Sequence, residues 1–126
     1  MPNQTRSQKL AGTALDHINS VGDRTWKKDY GRLWLRFPGL VLTNGLMQTV
    51  AFYASRDNDA NTAFLDHLGK LVLPEEGTGS VYDYLRGADY PAYMQATRIA
   101  LAAAVYYARF SEAILGIKKT DEGDGA

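Results

Sequence analysis

An almost uncharged segment is the strongest feature of the hydrophobic pattern. Between Gly39 and Ala54 there is no acidic or basic residue, and most side chains are apolar. Pro38 presets φ and lacks an N–H group, so it suits the first turn of a helix. A helix that is apolar nearly all round must be enclosed by other helices, and at about 24 Å this one is too short to span a bilayer. The pattern therefore predicts one central, buried helix over residues 37–54.

Polar side chains interrupt this predicted helix at Thr43, Asn44 and Gln48. Asn44 and Gln48 are four residues apart and share a face of a helix. A buried amide without a hydrogen-bond partner costs a few kcal/mol, so either a core network or a ligand has to satisfy these groups. Gly45 costs roughly 1 kcal/mol in the middle of a helix, which indicates that another backbone crosses close to it.

Amphipathic segments flank the central helix on both sides. Thr5 and Gln8 form a capping box that begins the first segment, and Gly22 ends it. The second segment begins near Asp23 or Thr25 and ends at Phe37. The three later segments run from Asn58 or Asp59 to Leu73, from Ser80 to Leu85, and from Tyr90 to Gly116. We predict an all-α fold, a compact bundle of five to six helices around the central apolar helix.

The second predicted helix has two distinct faces. Its core stripe consists of Trp26, Tyr30, Leu33 and Phe37. Lys28, Arg32 and Arg36 recur every four residues, about 130° around the helix from that stripe. Three interpretations remain open for this basic row, namely a solvated face, a contact with an acidic protein partner, and a contact with a polyanion.

Charge is unevenly distributed along a chain whose net charge is zero. Residues 1–56 contain eight basic residues (lysine or arginine) and three acidic residues. Residues 57–126 contain six basic and eleven acidic residues. Such asymmetry favours one surface that attracts polyanions. The predicted RNA-binding residues are the row Lys28, Arg32 and Arg36, flanked by Lys27, Arg6 and Lys9.

Length and composition indicate a single helical domain over residues 1–117, followed by a polar, glycine-rich tail over 118–126 that we expect to be disordered. The absence of cysteine excludes disulfides and thiolate metal sites and fits a cytoplasmic protein. No signal-peptide pattern and no apolar run long enough to cross a membrane is visible.

No catalytic or metal-binding pattern is present in the sequence. His17 and His67 each follow an aspartate, but adjacent residues on a helix point about 100° apart, so neither forms a ready dyad. His17 lies near the core stripe of the first helix and is interpreted as a histidine at the core boundary. No metal-ligand spacing and no serine nucleophile motif occurs. We expect a protein that is not an enzyme and that needs no cofactor or metal.

A family resemblance is carried by the central segment. It rests on Pro38, Leu40, Leu42, Asn44, Gly45, Leu46, Gln48, Thr49, Ala51 and Phe52, and again on residues 93–113 with Thr97, Arg98, Tyr106, Arg109 and Phe110. These two blocks resemble the small helical subunit of the type III-B CRISPR RNA-guided effector, the Cmr (RAMP module) complex. Met47 departs from the pattern, since the family often has glycine there.

The resemblance implies a non-catalytic subunit in antiviral defence. It would bridge backbone subunits and line the guide and target RNA channel with basic side chains that contact the RNA backbone non-specifically. The implied partners are other subunits of the complex, guide and target RNA, and a second copy of the chain through self-association. Two alternatives are a protein scaffold without RNA contact and a free-standing regulator or small enzyme.

Overall fold

Six α-helices make up the part of the chain that the computed structural model describes, residues 5–74 and 80–118. They are α1 (Arg6–Ser20), α2 (Lys27–Asn44), α3 (Leu46–Ala54), α4 (Asp59–Val72), α5 (Val81–Gly87) and α6 (Tyr90–Ile114). No strand occurs within these two ranges, so the predicted all-α bundle is confirmed. Of the predicted disordered tail, all but Lys118 lies outside the described residues, and the extent of the domain stays a prediction.

Side-chain caps begin four of the helices, at positions where the sequence predicts that a helix starts. At α1 the Thr5 hydroxyl accepts the Gln8 backbone N–H at 3.1 Å, and the Gln8 side chain accepts the Thr5 N–H at 2.8 Å. At α4, α5 and α6 the side chain of the cap residue accepts one backbone N–H of the first turn. The cap residues are Asn58, Ser80 and Asp89. These bonds satisfy backbone donors that the first turn of a helix leaves unpaired.

Aromatic packing around α2 forms the centre of the core. Trp34 is fully buried and stacks on Tyr107 of α6 at 4.1 Å between ring centroids, with Phe64 of α4 at 4.2 Å. Tyr30 and Phe37 of the predicted stripe are also fully buried. The stripe omitted Trp34, the largest fully buried side chain. Helix α2 packs against α3, α4 and α6, whereas α1 packs mainly on α6.

The prediction of one continuous helix over residues 37–54 is wrong. Helix α2 continues through Pro38 to Asn44, so the second predicted helix and the first half of the central helix are one element. The chain then breaks at Gly45, whose φ of 88° and ψ of 161° are rarely accessible to residues with a side chain. The positive φ at this position is therefore the reason that a glycine is needed there. The group that approaches it is the hydroxyl of Tyr93, not a crossing backbone.

The predicted enclosure of this segment is also only partly correct. Leu46, Val50 and Tyr53 of α3 are buried. Leu42 at the end of α2 is 77% exposed. The polar residues Thr43, Asn44 and Gln48 are exposed as well, so the prediction of a buried amide network is wrong. The break allows this part of the chain to turn its polar side chains outward.

The described helices include none that is long and apolar enough to cross a lipid bilayer.

Replacing Gly45 by alanine should destabilise the fold. A side chain at a φ of 88° is strained, and such strain costs on the order of 1–3 kcal/mol. Gly39→Ala is the matched control, because Gly39 lies within α2 and a Cβ placed there would meet open space, so alanine should stabilise by roughly 0.5–1 kcal/mol. Urea denaturation followed by circular dichroism measures both free energies of unfolding. Equal stability of Gly45→Ala and the parent chain would contradict the role given to Gly45.

Candidate functional site

Arg32 and Arg36 of the predicted basic row line one surface cleft of about 280 Å³. We call it the arginine cleft. It lies between α2, the end of α3 and the start of α4, and its walls are Asp29, Arg32, Leu33, Arg36, Phe52, Tyr53, Arg56, Asn58 and Asn61. Lys28, the third member of the row, is exposed one turn before Arg32 and is not part of the wall.

Arg32 is held within this cleft rather than extended into solvent. Its side chain is 29% exposed, and Nη1 contacts the Asp29 carboxylate at 2.8 Å. Its Nε is buried and has no hydrogen-bond partner among the residues that the structure describes. A buried donor without a partner is uncommon, because it loses its bond to water without replacing it. The ion pair with Asp29 therefore holds the Arg32 guanidinium in the wall of the cleft.

Arg56 is a residue of the candidate site that the sequence analysis did not identify. It follows α3, and its guanidinium carbon lies 5.3 Å from the centroid of the Phe52 ring, a cation–π arrangement. The available signal was the spacing, since Phe52 and Arg56 are four residues apart at the end of an otherwise uncharged segment. With Arg56, the described wall of the cleft holds three guanidinium groups and one carboxylate.

Hydrogen bonds fix the floor of the arginine cleft. The hydroxyl of Tyr53 donates to the Leu33 carbonyl at 2.7 Å and ties α3 to α2. The Asn61 amide donates to the Tyr53 carbonyl at 3.0 Å and ties α4 to α3. Burial raises the pKa of Tyr53, so its phenol stays protonated and remains a donor at neutral pH. The three helices that border the cleft are thereby held together.

A second groove, of about 580 Å³, adjoins the arginine cleft. We call it the amide groove. Its walls are Arg36, Leu40, Thr43, Asn44, Gln48, Thr49 and Phe52. Asn44 and Gln48 therefore line a solvent-accessible surface, which agrees with the ligand-contacting interpretation and not with the core network. Arg36 and Phe52 belong to both depressions, so the two form one continuous surface.

The three flanking candidates do not join this surface. Lys27 is half-buried at the first position of α2. Arg6 and Lys9 are exposed at the start of α1, where they line a separate depression with Leu10 and Thr13. The structure thus brings Arg32 and Arg36 together and leaves the other predicted residues elsewhere.

A cavity larger than either groove, about 900 Å³, lies between α3, α4 and α5. Its walls are mainly apolar, and the charged groups Asp66 and Lys70 in them form an ion pair with each other at 3.4 Å. Among the described residues, this cavity brings together no set of groups that could carry out acid–base chemistry.

The two histidines, which the sequence analysis treated separately, form a stacked pair. The rings of His17 and His67 are parallel within 3° and 4.0 Å apart between centroids. His17 Nδ1 lies 2.7 Å from the Tyr107 hydroxyl, and His67 Nδ1 lies 2.7 Å from the Tyr30 hydroxyl. The pair links α1 to α4, and the tyrosines extend it to α6 and α2. Sequence spacing cannot reveal it, because the rings come from different helices.

The environment keeps this pair uncharged. Burial, followed by the neighbouring His17, lowers the pKa of His67 from 6.5 to about 4. Burial, followed by the charge of Lys70, lowers the pKa of His17. Burial also raises the pKa of both tyrosines, so their hydroxyls can donate to neutral imidazoles. Within the described residues no three histidine or acidic side chains cluster as metal ligands.

Comparison with known proteins assigns the chain to a family. The model of the family described as CRISPR-associated protein (Cas_Cmr5) matches residues 6–114. The chain therefore belongs to the Cmr5 family of CRISPR-associated proteins, as the resemblance predicted.

Two matches from Thermus thermophilus support this assignment. The CRISPR system Cmr subunit Cmr5 of that organism is 31% identical over 112 residues, which cover 89% of this chain and 97% of the relative. The crystal structure of a CRISPR-associated Cmr5 family protein from the same species matches with a TM-score of 0.79 at 29% identity, covering 90% of this chain and 99% of the other.

Stability should fall in a defined pH window because of His67. Its pKa in the folded state, about 4, lies below the value of 6.5 for an unperturbed histidine. Between these values the unfolded chain binds more protons than the folded chain, so stability is lost as pH falls from 6.5 towards 4. His67→Gln keeps a hydrogen-bonding group for Tyr30 but cannot titrate. Urea titrations at several pH values should give a shallower slope for this variant, and parallel curves would contradict the assignment.

Proposed function

We propose that this chain is a non-catalytic subunit of a type III-B Cmr effector complex. It bridges neighbouring subunits and turns the basic surface around the arginine cleft towards the channel that holds guide and target RNA. Membership of the Cmr5 family supports the assembly, since the Thermus relative is a subunit of a Cmr system. The convergence of Arg32, Arg36 and Arg56 on one cleft is the observation that carries the RNA contact.

The chemistry of the cleft suits phosphate groups. Guanidinium groups carry a permanent charge and present several N–H donors in a plane, which matches the oxygens of a phosphate. Contacts of this kind stabilise a nucleic acid regardless of its sequence. Specificity would then come from base pairing between guide and target, as in RNA-guided systems generally.

Bridging of neighbouring subunits is supported by apolar side chains that the fold leaves uncovered. Leu42 is 77% exposed and Tyr90 is 75% exposed. Large apolar side chains of this kind become favourable when a partner removes them from water. Other subunits of the complex, or a second copy of this chain, are the partners that such residues would meet.

Removing charge from the basic row should weaken RNA binding and its salt dependence. Arg32 is left in place because it is bonded to Asp29. The double variant Lys28→Ala/Arg36→Ala, assembled into the complex, should bind target RNA more weakly. The slope of log K against log salt should become shallower by up to about 1.4, since each phosphate contact to a single strand contributes about 0.7.

The matched control is Arg98→Ala/Arg109→Ala, which removes the same charge from exposed positions of α6. It should leave the salt slope unchanged. An unchanged affinity and slope in the Lys28/Arg36 variant would remove the row from the RNA path. Failure of that variant to co-purify with the complex would instead support the alternative function, a scaffold in which the row meets an acidic protein surface.

The isolated chain should not cut RNA. The neutral histidine pair is bonded to tyrosines within the bundle, and the guanidinium groups of the cleft are hydrogen-bond donors without an acceptor, so neither set offers a general base facing the cleft. Incubation of the chain with end-labelled RNA, with and without divalent cations, should give no product on a denaturing gel. Cleavage that tracks the monomeric protein through gel filtration would contradict this part of the proposal.

A further inference from the structure

The arginine cleft and the amide groove meet at a single aromatic side chain. Phe52 lies in the wall shared by both and is 40% exposed. Its neighbour Tyr53 is buried and bonded to α2, which holds the end of α3 in place. An exposed ring on a rigid backbone is a flat apolar platform next to the arginines and amides of the two depressions.

Two cationic groups lie beside this platform. The Arg56 guanidinium lies over the Phe52 ring at 5.3 Å, and Arg36 lines both depressions next to it. Arg32 is a third cationic group in the wall of the arginine cleft. The exposed ring therefore lies on one surface with three guanidinium groups.

We propose that this surface binds a single-stranded RNA segment, with one base stacked on the face of the Phe52 ring that Arg56 does not cover and the flanking phosphates bound by Arg56 and Arg36. This inference rests on the proposed function and adds the site at which a base is held. Single-stranded nucleic acids alternate phosphate and flat base, and proteins bind them with basic grooves that contain aromatic platforms.

The amide groove supplies the polar groups that such a segment needs. Asn44 and Gln48 are exposed on its walls, and each amide offers both donors and an acceptor. They can bond a base edge or a ribose 2′-hydroxyl, and neither requires a particular base. The polar residues within the apolar segment, which the sequence left without a role, thus line the path of the strand beyond Phe52.

An acidic peptide is the competing occupant of a basic groove. It would engage the three arginines but has no use for an exposed ring placed beside them. The position of the exposed Phe52 ring beside Arg36 and Arg56 therefore favours a polynucleotide over an acidic peptide.

The test compares Phe52→Leu with Phe52→Tyr in the full-length chain. Leucine keeps an apolar side chain and removes the ring, whereas tyrosine keeps the ring. The probes are a fluorescent oligoadenylate and an abasic oligomer of the same length and charge, and the readout is anisotropy at several salt concentrations. Circular dichroism verifies that both variants fold.

Phe52→Leu should bind oligoadenylate roughly 5- to 150-fold more weakly, the range for loss of one base stack. Its affinity for the abasic oligomer and its salt slope should not change, because no charge is removed. Phe52→Tyr should bind both probes as the parent chain does.

The inference would be overturned if Phe52→Leu bound oligoadenylate as tightly as the parent chain does, or if this variant lost the same affinity for both probes. It would also be overturned if the parent chain bound neither probe at about 50 mM salt, where phosphate contacts are stronger than at physiological salt. Displacement of oligoadenylate by oligoglutamate at a lower concentration than by unlabelled RNA would identify an acidic protein partner and overturn it as well. The proposed RNA contact is tested separately. It would be contradicted if the Lys28→Ala/Arg36→Ala variant, assembled into the complex, showed the same salt slope as the parent chain.

Discussion

The buried aromatic cluster around Trp34 determines the orientation of α2 and therefore of the candidate site. Trp34 stacks on Tyr107 of α6 and contacts Phe64 of α4 and Phe37 of its own helix. Residues two positions apart on a helix point about 200° from each other. With Trp34 fixed in the core, Arg32 and Arg36 must lie towards the surface. Burial of these rings is thus the reason that the arginines line a surface cleft.

The break at Gly45 decides what the arginines face. In a continuous helix Arg36 and Phe52, sixteen residues apart, would be separated by about 24 Å. With the break, α3 packs back on α2 and both side chains line the same surface. The Met47 N–H lies in the first turn of α3, where backbone N–H groups have no partner within the helix, and it donates to the Tyr93 hydroxyl at 3.0 Å. The resemblance to the Cmr5 family is concentrated around this break, which agrees with its role in forming the site.

The surface that results combines fixed charge with an uncharged polar path. Arg32, Arg36 and Arg56 supply the positive potential of the arginine cleft, and Asp29 is the acid in its described wall. Asn44 and Gln48 line the adjoining groove. The stacked histidines lie elsewhere, at the contact of α1 with α4, and their lowered pKa values link them to stability and not to the surface around the arginine cleft.

The sequence by itself determined the fold class, the capping box of Thr5 and Gln8, the approximate starts of the later helices, and the presence of a basic row opposite an aromatic stripe. These features depend on neighbours three or four residues apart, so spacing alone reveals them. The tertiary structure decided that Gly45 ends a helix, that Asn44 and Gln48 are exposed, that Arg56 joins Arg32 and Arg36, and that His17 stacks on His67. Each of these depends on how one helix packs against another, and a pattern within a single helix does not contain that information.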